Sequence, residues 1–256
     1  MGEMVYARHL LRGQAVERAR LRRACNEKVF GVQIATNDAE EGAAAVKLAR
    51  EAGADFVDLN CGCPINEATR RGLGSALLRS PEKLGLLVAG IVAGAGSTPV
   101  TVKLRLGTSE KDVNVLEVAR AAREAGASAV AVHGRTAVQR YSSGADWGLI
   151  KQVVDDSKNS GLLVVGNGDI LTHGDARSRM AETGVDAVMV GRGALEKPWI
   201  FQEFEQNKAW DPTGADRVGV YRRLAVFMKD HFMRSDHDPK GREMAMYFLP
   251  WHFEVS

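Results

Sequence analysis

The stretch "DAEEGAAAVKLAREAGADFVDLN", residues 38–60, holds one helix followed directly by one strand, and it decides the fold class. Its first part has the apolar spacing of an amphipathic helix and ends in Ala-Gly-Ala, which is typical of a helix stop. The apolar run "FVDLN" then begins at Phe56. Residues 113–127, "VNVLEVARAAREAGA", repeat this arrangement ahead of the run "AVAVHG". Helical segments that alternate with short apolar runs predict βαβ units around a parallel sheet.

Seven strand-like runs follow one another along the chain. They are Met4–Ala7, Val29–Ala35, Phe56–Asn60, Val100–Leu106, Ala129–Gly134, Leu162–Gly168 and Ala187–Gly193. This succession favours a TIM (β/α)8 barrel over a doubly wound sheet, because the glycine fingerprint that would follow the first strand of the latter is missing. A closed barrel has eight strands, so we expect an incomplete barrel in residues 1–210. A turn at Asp211–Gly214 and a short helical appendage within residues 211–256 are expected to follow.

The composition is that of a globular protein in a reducing compartment. The 256 residues are 45% hydrophobic and 26% charged, with a net charge of +2, which does not by itself indicate a nucleic-acid-binding protein. Three cysteines give no disulfide framework. The segment "MGEMVYARHLLRGQ" has no apolar core of a secretory signal, and no run is long enough to span a membrane. We therefore expect a cytoplasmic protein, or one that is also nuclear, without a membrane segment.

Polar residues follow five of the predicted strands, at the end where a barrel of this kind keeps its active site. Each has a structural interpretation when taken singly, because amides can bind loop backbone groups and a lysine can reach solvent along its stem. All of these residues would share one face of one sheet, which favours a functional site. They are Gln33, Asn60, Cys63, Lys103, Arg105, His133, Arg135, Asn167 and Asp169.

The last two predicted strands, "VVGNGDI" and "VMVGRGAL", both end in Gly-X-Gly. Loops of this kind aim backbone N–H groups at a phosphate, and Arg192 would add a charged contact, although two ordinary tight turns would have the same pattern. A phosphorylated cofactor is therefore predicted at the mouth of the barrel. Lys103 suits the anionic ring of a reduced flavin, while pyridoxal phosphate remains an alternative because it also needs a lysine and a phosphate cradle.

Cys61 and Cys63 lie two residues apart in "NCGCP". A zinc site is disfavoured because no second pair of ligands follows at a useful spacing, and a redox Cys-X-X-Cys motif is absent. We therefore expect no metal. The residues alone leave packing and acid–base chemistry open for the two thiols.

Five segments of the chain resemble, in the same order, the signature segments of the tRNA-dihydrouridine synthases. They are "LNCGCP", "VKLRLG", "VHGRTAVQRYSSGADW", "GNGDI" and "GRGALEKPWIF". The resemblance runs from about Gly2 to Trp251, and "RYSSGADW" and "GALEKPWIFQEF" are most similar to the eukaryotic branch that acts on uridine 47 of tRNA. It implies an FMN-linked oxidoreductase barrel, NADPH or NADH as reductant, tRNA as partner, and reduction of the C5–C6 double bond of uracil.

The resemblance also implies roles for single residues. Cys63 falls on the catalytic cysteine, a general acid for C5 of the uracil, and an unperturbed thiol with a pKa of roughly 8.5 is mostly protonated near neutral pH. Cys61 is then expected to pack. The implied cofactor-binding residues are Gln33, Lys103, His133, Asn167, Gly168, Asp169, Gly191 and Arg192. The implied substrate residues, which would receive a base splayed out of the tRNA, are Asn60, Arg105, Arg135, Arg140 and Tyr141.

The chain also differs from the family pattern. Residue 2 already matches the second strand, so we expect the first βα unit to be missing and the C-terminal helical domain to be cut near Trp251. Residues 1–256 made alone are then expected to aggregate, with a gap between the first and last strands. Two other functions remain open: a non-catalytic remnant that binds FMN or RNA, and a barrel like dihydroorotate or dihydropyrimidine dehydrogenase that acts on free pyrimidines. The arginines and "RYSSGADW" favour tRNA over the latter.

Overall fold

A parallel sheet of seven strands forms the centre of the computed structural model, which describes residues 1–232, 238–240 and 242–243. Neighbouring strands of the sheet follow one another in chain order, and every pair is parallel. Its strands are β1 (Val5–Tyr6), β2 (Gly31–Ala35), β3 (Phe56–Asn60), β4 (Val100–Arg105), β7 (Ala129–His133), β8 (Leu163–Asn167) and β9 (Ala187–Met189). All seven predicted strands are therefore confirmed, most of them with shorter bounds.

A two-stranded antiparallel hairpin, β5 (Gly107–Ser109) and β6 (Asp112–Val113), was not predicted. The helices are α1 (Ala7–Leu11), α2 (Ala15–Ala19), α3 (Ala39–Glu51), α4 (Asn66–Arg70), α5 (Pro81–Ala95), α6 (Val115–Glu124), α7 (Trp147–Ser157), α8 (His173–Thr183), α9 (Arg192–Glu196), α10 (Ile200–Gln206) and α11 (Gly214–Phe232), and Gly74–Arg79 forms a 3-10 helix. Within the described ranges, no helix has both the length and the apolar character needed to cross a membrane.

The sheet confirms the α/β fold class and the predicted count of seven barrel strands. Strands β2 and β7 are buried along their whole length, as expected of parallel strands covered on both faces. Among the described residues β1 pairs with β2 and β9 pairs with β8, and no pairing joins β1 to β9. The sheet is therefore open between its first and last strands.

Helix α3 shows how the sequence specifies these units. Asp38 caps it by accepting a hydrogen bond from the backbone N–H of Glu41 at 2.9 Å, and Gly53 ends it with a φ of +86°. Small residues let α3 lie close against α5. A Cβ added at Gly42 would lie 2.6 Å from Ile91, and one added at Gly94 would lie 2.4 Å from Ala43.

The chain divides into two compact units. The first comprises Met1–Gly168 and Arg179–Met189, and it contains the whole parallel sheet. The second comprises Asp169–Ser178 and the chain from Val190 onward. The boundary predicted between residues 210 and 211 stays a prediction.

Candidate active site

The register of the first unit places the predicted site residues side by side at the carboxyl end of the sheet. Asn60 of β3 pairs with Lys103 of β4. His133 of β7 pairs with Arg105 on one side and with Asn167 of β8 on the other. The sheet therefore brings together residues that lie far apart in the sequence, as the carboxyl-end rule for parallel barrels predicts.

A chain of buried side-chain hydrogen bonds links β2 and β3 to the loop of Cys63. Gln33 Nε2 donates to Asp58 Oδ2 at 2.8 Å, and Asn60 Nδ2 donates to Gln33 Oε1 at 2.8 Å. Asn60 Oδ1 in turn accepts from the backbone N–H groups of Gly62 at 3.2 Å and Cys63 at 2.9 Å. The backbone of Cys63 is thereby tied to the interior of the sheet.

Asp58 was not predicted as a site residue, because it lies within a strand rather than after it. The side chain is 1% exposed and also accepts a hydrogen bond from the Thr101 hydroxyl at 2.6 Å. Burial raises the pKa of Asp58, while hydrogen bonds from Thr101 and Gln33 and the charge of Lys103 oppose that shift. A carboxylate in the middle of the apolar run "FVDLN" was the signal that would have revealed it.

Lys103 joins β4 to the last strands of the sheet. Its Nζ donates to Asn167 Oδ1 at 3.0 Å, and Asn167 Nδ2 donates to the carbonyl of Met189 at 2.8 Å. Burial of the ammonium lowers the pKa of Lys103 to about 8, with Asp58 raising it and Arg105 lowering it further. The ammonium is therefore a buried cation that the charge of Asp58 stabilises only in part, so an anionic ligand would bind it favourably.

The two thiols of "NCGCP" have different surroundings. Cys61 is fully buried, as predicted for a packing residue, and burial followed by the charge of Asp58 raises its pKa well above the usual value. Cys63 is partly buried and, like Tyr6, packs against an apolar cluster of Ala35, Ala68 and Leu73. Its carbonyl accepts from the backbone N–H of Ser75 at 2.9 Å. The loop therefore holds the backbone of Cys63 on both sides of the residue.

Tyr6 is a second residue that sequence reasoning missed. The guanidinium of Arg71 lies 5.0 Å from the centre of its ring. Burial raises the pKa of the Tyr6 hydroxyl, and the charges of Glu67 and Cys63 add to that shift. Tyr6 and Arg71 also line a cavity of about 230 Å³ beside β1.

Arg105 was predicted to contact substrate, and the structure shows that it binds two loops of the site. Its Nε donates to the carbonyl of Gly62 at 2.8 Å, and Nη1 donates to the carbonyl of Thr136 at 2.8 Å. Burial lowers its pKa, with Tyr141 and Cys63 opposing. A contact with substrate stays a prediction for this residue.

Arg135 is 1% exposed, although it was also predicted on the substrate side. Its Nε donates to the carbonyl of Ser143 at 2.8 Å, Nη2 also contacts that oxygen, and Nη1 lies 3.4 Å from His133 Nε2. Tyr141 lies over this group, with its ring centre 5.5 Å from the guanidinium carbon of Arg135 and 6.4 Å from the ring centre of His133. Arg135 thus orders the loop from inside.

Arg140 and Tyr141 are exposed on the same loop. Arg140 lines an open cavity of about 490 Å³ together with residues of the unpredicted hairpin, among them Lys111. Gln139 fixes the two segments to each other by donating to Glu110 Oε1 at 3.1 Å. These two positions are therefore accessible to a large ligand.

The predicted phosphate-binding residues are divided between the two units. Gly168, in the first unit, has a φ of +129°, and its carbonyl accepts from Trp147 Nε1 at 3.1 Å. In the second unit Arg192 Nη2 donates to Asp169 Oδ1 at 2.8 Å, and the space beside Gly191 is open, since a Cβ there would meet nothing within 4 Å. A phosphate at Arg192 would have to compete with the carboxylate of Asp169.

Within the described part of the chain, no group of three or more His, Cys, Asp or Glu residues is arranged to hold a metal ion.

A family model described as "Dihydrouridine synthase (Dus)" matches residues 1–239. The chain is 39% identical to a protein of Coprinopsis cinerea named tRNA-dihydrouridine(47) synthase over 242 residues, which cover 90% of this chain and 36% of that protein. It is 38% identical over 255 residues to a mouse protein (Mus musculus) named as similar to tRNA-dihydrouridine(47) synthase, with 97% of this chain and 38% of the relative covered. Both names include NAD(P)(+).

The chain spans little more than a third of the length of these curated relatives. A solved structure of mandelate oxidase is similar at a TM-score of 0.47 and 21% identity, over 69% of this chain and 54% of that one.

Proposed function

Since this chain belongs to the dihydrouridine synthase family, we propose that it carries the site at which a tRNA-dihydrouridine synthase reduces the C5–C6 double bond of uridine in tRNA. FMN is the proposed bound cofactor, and NADPH or NADH is the proposed reductant. We further propose uridine 47 as the target, which the names of the relatives support.

The observation that carries this proposal is the linked placement of a thiol and a cation at one end of the sheet. Asn60 pairs in register with Lys103, and its side chain binds the backbone N–H of Cys63. Reduction of a double bond requires one hydride and one proton at adjacent carbons. A cation and a proton donor fixed at adjacent strand ends suit that chemistry.

The donor set of the first unit fits the polar edge of a flavin ring. Lys103 donates one of its three ammonium protons to the neutral amide of Asn167, which leaves two for a ligand. The side-chain oxygen and nitrogen of Gln33 each hold one hydrogen bond, which leaves one further lone pair and one further proton. A ring that presents alternating N–H and C=O groups and becomes anionic when reduced would satisfy both side chains.

When bound, FMN supplies the hydride that reaches C6 of the uracil. Lys103 would hold its ammonium against the negative charge of the reduced ring, which favours the reduced form. Cys63 would hold a proton at Sγ and release it to C5, after which solvent restores the thiol. The contacts of Asn60 and of Ser75 with its backbone keep Cys63 in place during this transfer.

The exposed residues Arg140 and Tyr141 are the proposed contacts with tRNA. An arginine can pair with a backbone phosphate, and an exposed tyrosine can stack on an unpaired base. Arg135 lies beneath them and would support the loop.

The experiment that tests the proposal uses the purified 256-residue chain, FMN, NADPH and tRNA from cells that lack the modification. We expect the fraction of the chain that stays in solution to retain flavin colour and to convert uridine to dihydrouridine, detected by mass spectrometry after nuclease digestion. Free uridine, orotate and uracil serve as controls. Flavin retention with reduction of free pyrimidines alone would favour the dihydropyrimidine dehydrogenase class, and flavin retention without reduction of either class would favour the non-catalytic alternative.

A further inference from the structure

The hydrogen bonds between Asp58 and the Cys63 loop have only one possible direction. The backbone N–H groups of Gly62 and Cys63 can only donate, so the Asn60 amide must face them with Oδ1, at 3.2 and 2.9 Å. Its Nδ2 then points away and donates to Gln33 Oε1 at 2.8 Å. Because Gln33 Oε1 accepts from Asn60, the group that Gln33 turns toward Asp58 must be Nε2, which can only donate.

Asp58 supplies the acceptor that this direction requires. Its Oδ2 accepts from Gln33 Nε2 at 2.8 Å, and its Oδ1 accepts from the Thr101 hydroxyl at 2.6 Å. The side chain is 1% exposed, and those of Gln33 and Asn60 are at most 9% exposed. Water therefore has little access, and an amide turned the wrong way would place two donors or two acceptors face to face in the interior.

We infer that Asp58 is a positioning residue, whose carboxylate fixes the orientation of the Gln33 and Asn60 amides and thereby holds the backbone N–H of Cys63. The inference rests on the proposed function in one respect, because the proposed function gives Cys63 its catalytic role. Asp58 itself is separated from the thiol by two side chains and acts through both of them. Asp58 therefore positions the Cys63 thiol and does not take part in proton transfer.

The test is amide hydrogen exchange at Gly62 and Cys63, measured by NMR on isotope-labelled protein without added FMN or tRNA. Asp58→Leu keeps the branched shape of the side chain but removes the acceptor. We expect exchange at these two amides to accelerate about tenfold relative to amides in β7, because the hydrogen bond to Asn60 loses its fixed orientation. Gln33→Met should give the same acceleration, and Asp58→Leu/Gln33→Met should add little, because either change interrupts the same chain.

Two matched controls separate the acceptor from charge and packing. Asp58→Asn can keep its oxygen toward Gln33 while its Nδ2 donates to the Thr101 hydroxyl, so exchange should stay within about threefold of wild type. Thr101→Val removes the other hydrogen bond of the same carboxylate and should also leave the two amides protected. Additive effects of Asp58→Leu and Gln33→Met, an effect of Thr101→Val as large as that of Asp58→Leu, or no acceleration in Asp58→Leu would overturn the inference.

If Asp58→Leu does not fold, Asp58→Asn and Gln33→Met decide the question. Protection retained in the former and lost in the latter supports the inference, and any other pair of results overturns it. Because exchange is measured without cofactor or substrate, these outcomes are independent of uridine reduction. Failure of the proposed function would show instead as wild-type protein that protects these amides and yet reduces no uridine in tRNA.

Discussion

The buried amides of Gln33 and Asn60 and the loop of residues 135–145 both order polar groups at the carboxyl end of the sheet, but they do so by different means. The amides stand on neighbouring strands whose register fixes the distance between them. The loop is closed at its base by a hydrogen bond of 2.7 Å from Asp146 N to the carbonyl of Gly134, and it is held from inside by Arg135. Strand register therefore positions the proposed chemistry, while a single buried side chain organises the surface offered to a large substrate.

The largest effect should come from Cys63, whose backbone is bound by the buried amide of Asn60. Cys63→Ala should lower dihydrouridine formation by about 10²–10⁴-fold, because a positioned acid is lost, while FMN binding and NADPH oxidation remain nearly intact. The measurement is single-turnover reduction of tRNA, with flavin reoxidation followed separately. Cys61→Ala, which alters a buried packing thiol, should do far less, and equal losses in the two variants would show that neither thiol is the acid.

On the loop side, Arg135→Ala should lower the free energy of unfolding by about 3 kcal/mol, because the carbonyl oxygens of Ser143 and Tyr141 lose a charged donor. Urea denaturation measures this change. Arg140→Ala, on the exposed part of the same loop, should change stability by less than about 0.5 kcal/mol and weaken only tRNA binding. Similar stability losses in both would mean that the loop does not depend on its internal arginine.

A substitution of Lys103 tests whether this cation contacts an anionic cofactor ring. Lys103→Met should weaken FMN binding by about tenfold and shift the flavin spectrum, because a charged contact is lost. In the wild type the anionic ring of reduced FMN should raise the lysine pKa from about 8, so binding of reduced FMN takes up a proton and its affinity should fall as the pH rises above that value. Titrations across this range should show no such slope in Lys103→Met, and a slope that persists there would assign the proton to another group.

The smallest effect is expected at the second unit. Arg192→Ala should lower FMN affinity by only about threefold and leave the flavin spectrum unchanged, because its guanidinium already has a carboxylate partner in Asp169. A spectral change in Arg192→Ala would contradict its prediction as a residue of the phosphate side.

The features that could be predicted from the sequence are the strands and the polar residues at their ends. All seven parallel strands were found because short, mostly apolar runs alternate with amphipathic helical segments, and β2 and β7, which are buried along their whole length, show the pattern most clearly. Lys103, His133 and Asn167 were found because such runs end in polar residues at the mouth. The hairpin Gly107–Val113 was not predicted because its strands are short and largely polar, and Asp58 was not predicted because it lies inside a strand, away from its polar end. The burial of Arg135 depends on the path of residues 136–146, which no local pattern specifies.

The close approach of α3 and α5 limits which natural variants this chain can tolerate. At Gly42 and Gly94 even a methyl group would overlap the opposite helix, and at Gly94 the obstacle is Ala43, which has no rotamer to change. We therefore expect a population survey or a saturation screen to find these positions almost confined to glycine, whereas the exposed positions Glu40 and Leu86 of the same helices should accept most residues. A missense change at either glycine would then be a candidate for loss of protein abundance, although neither residue belongs to the proposed site.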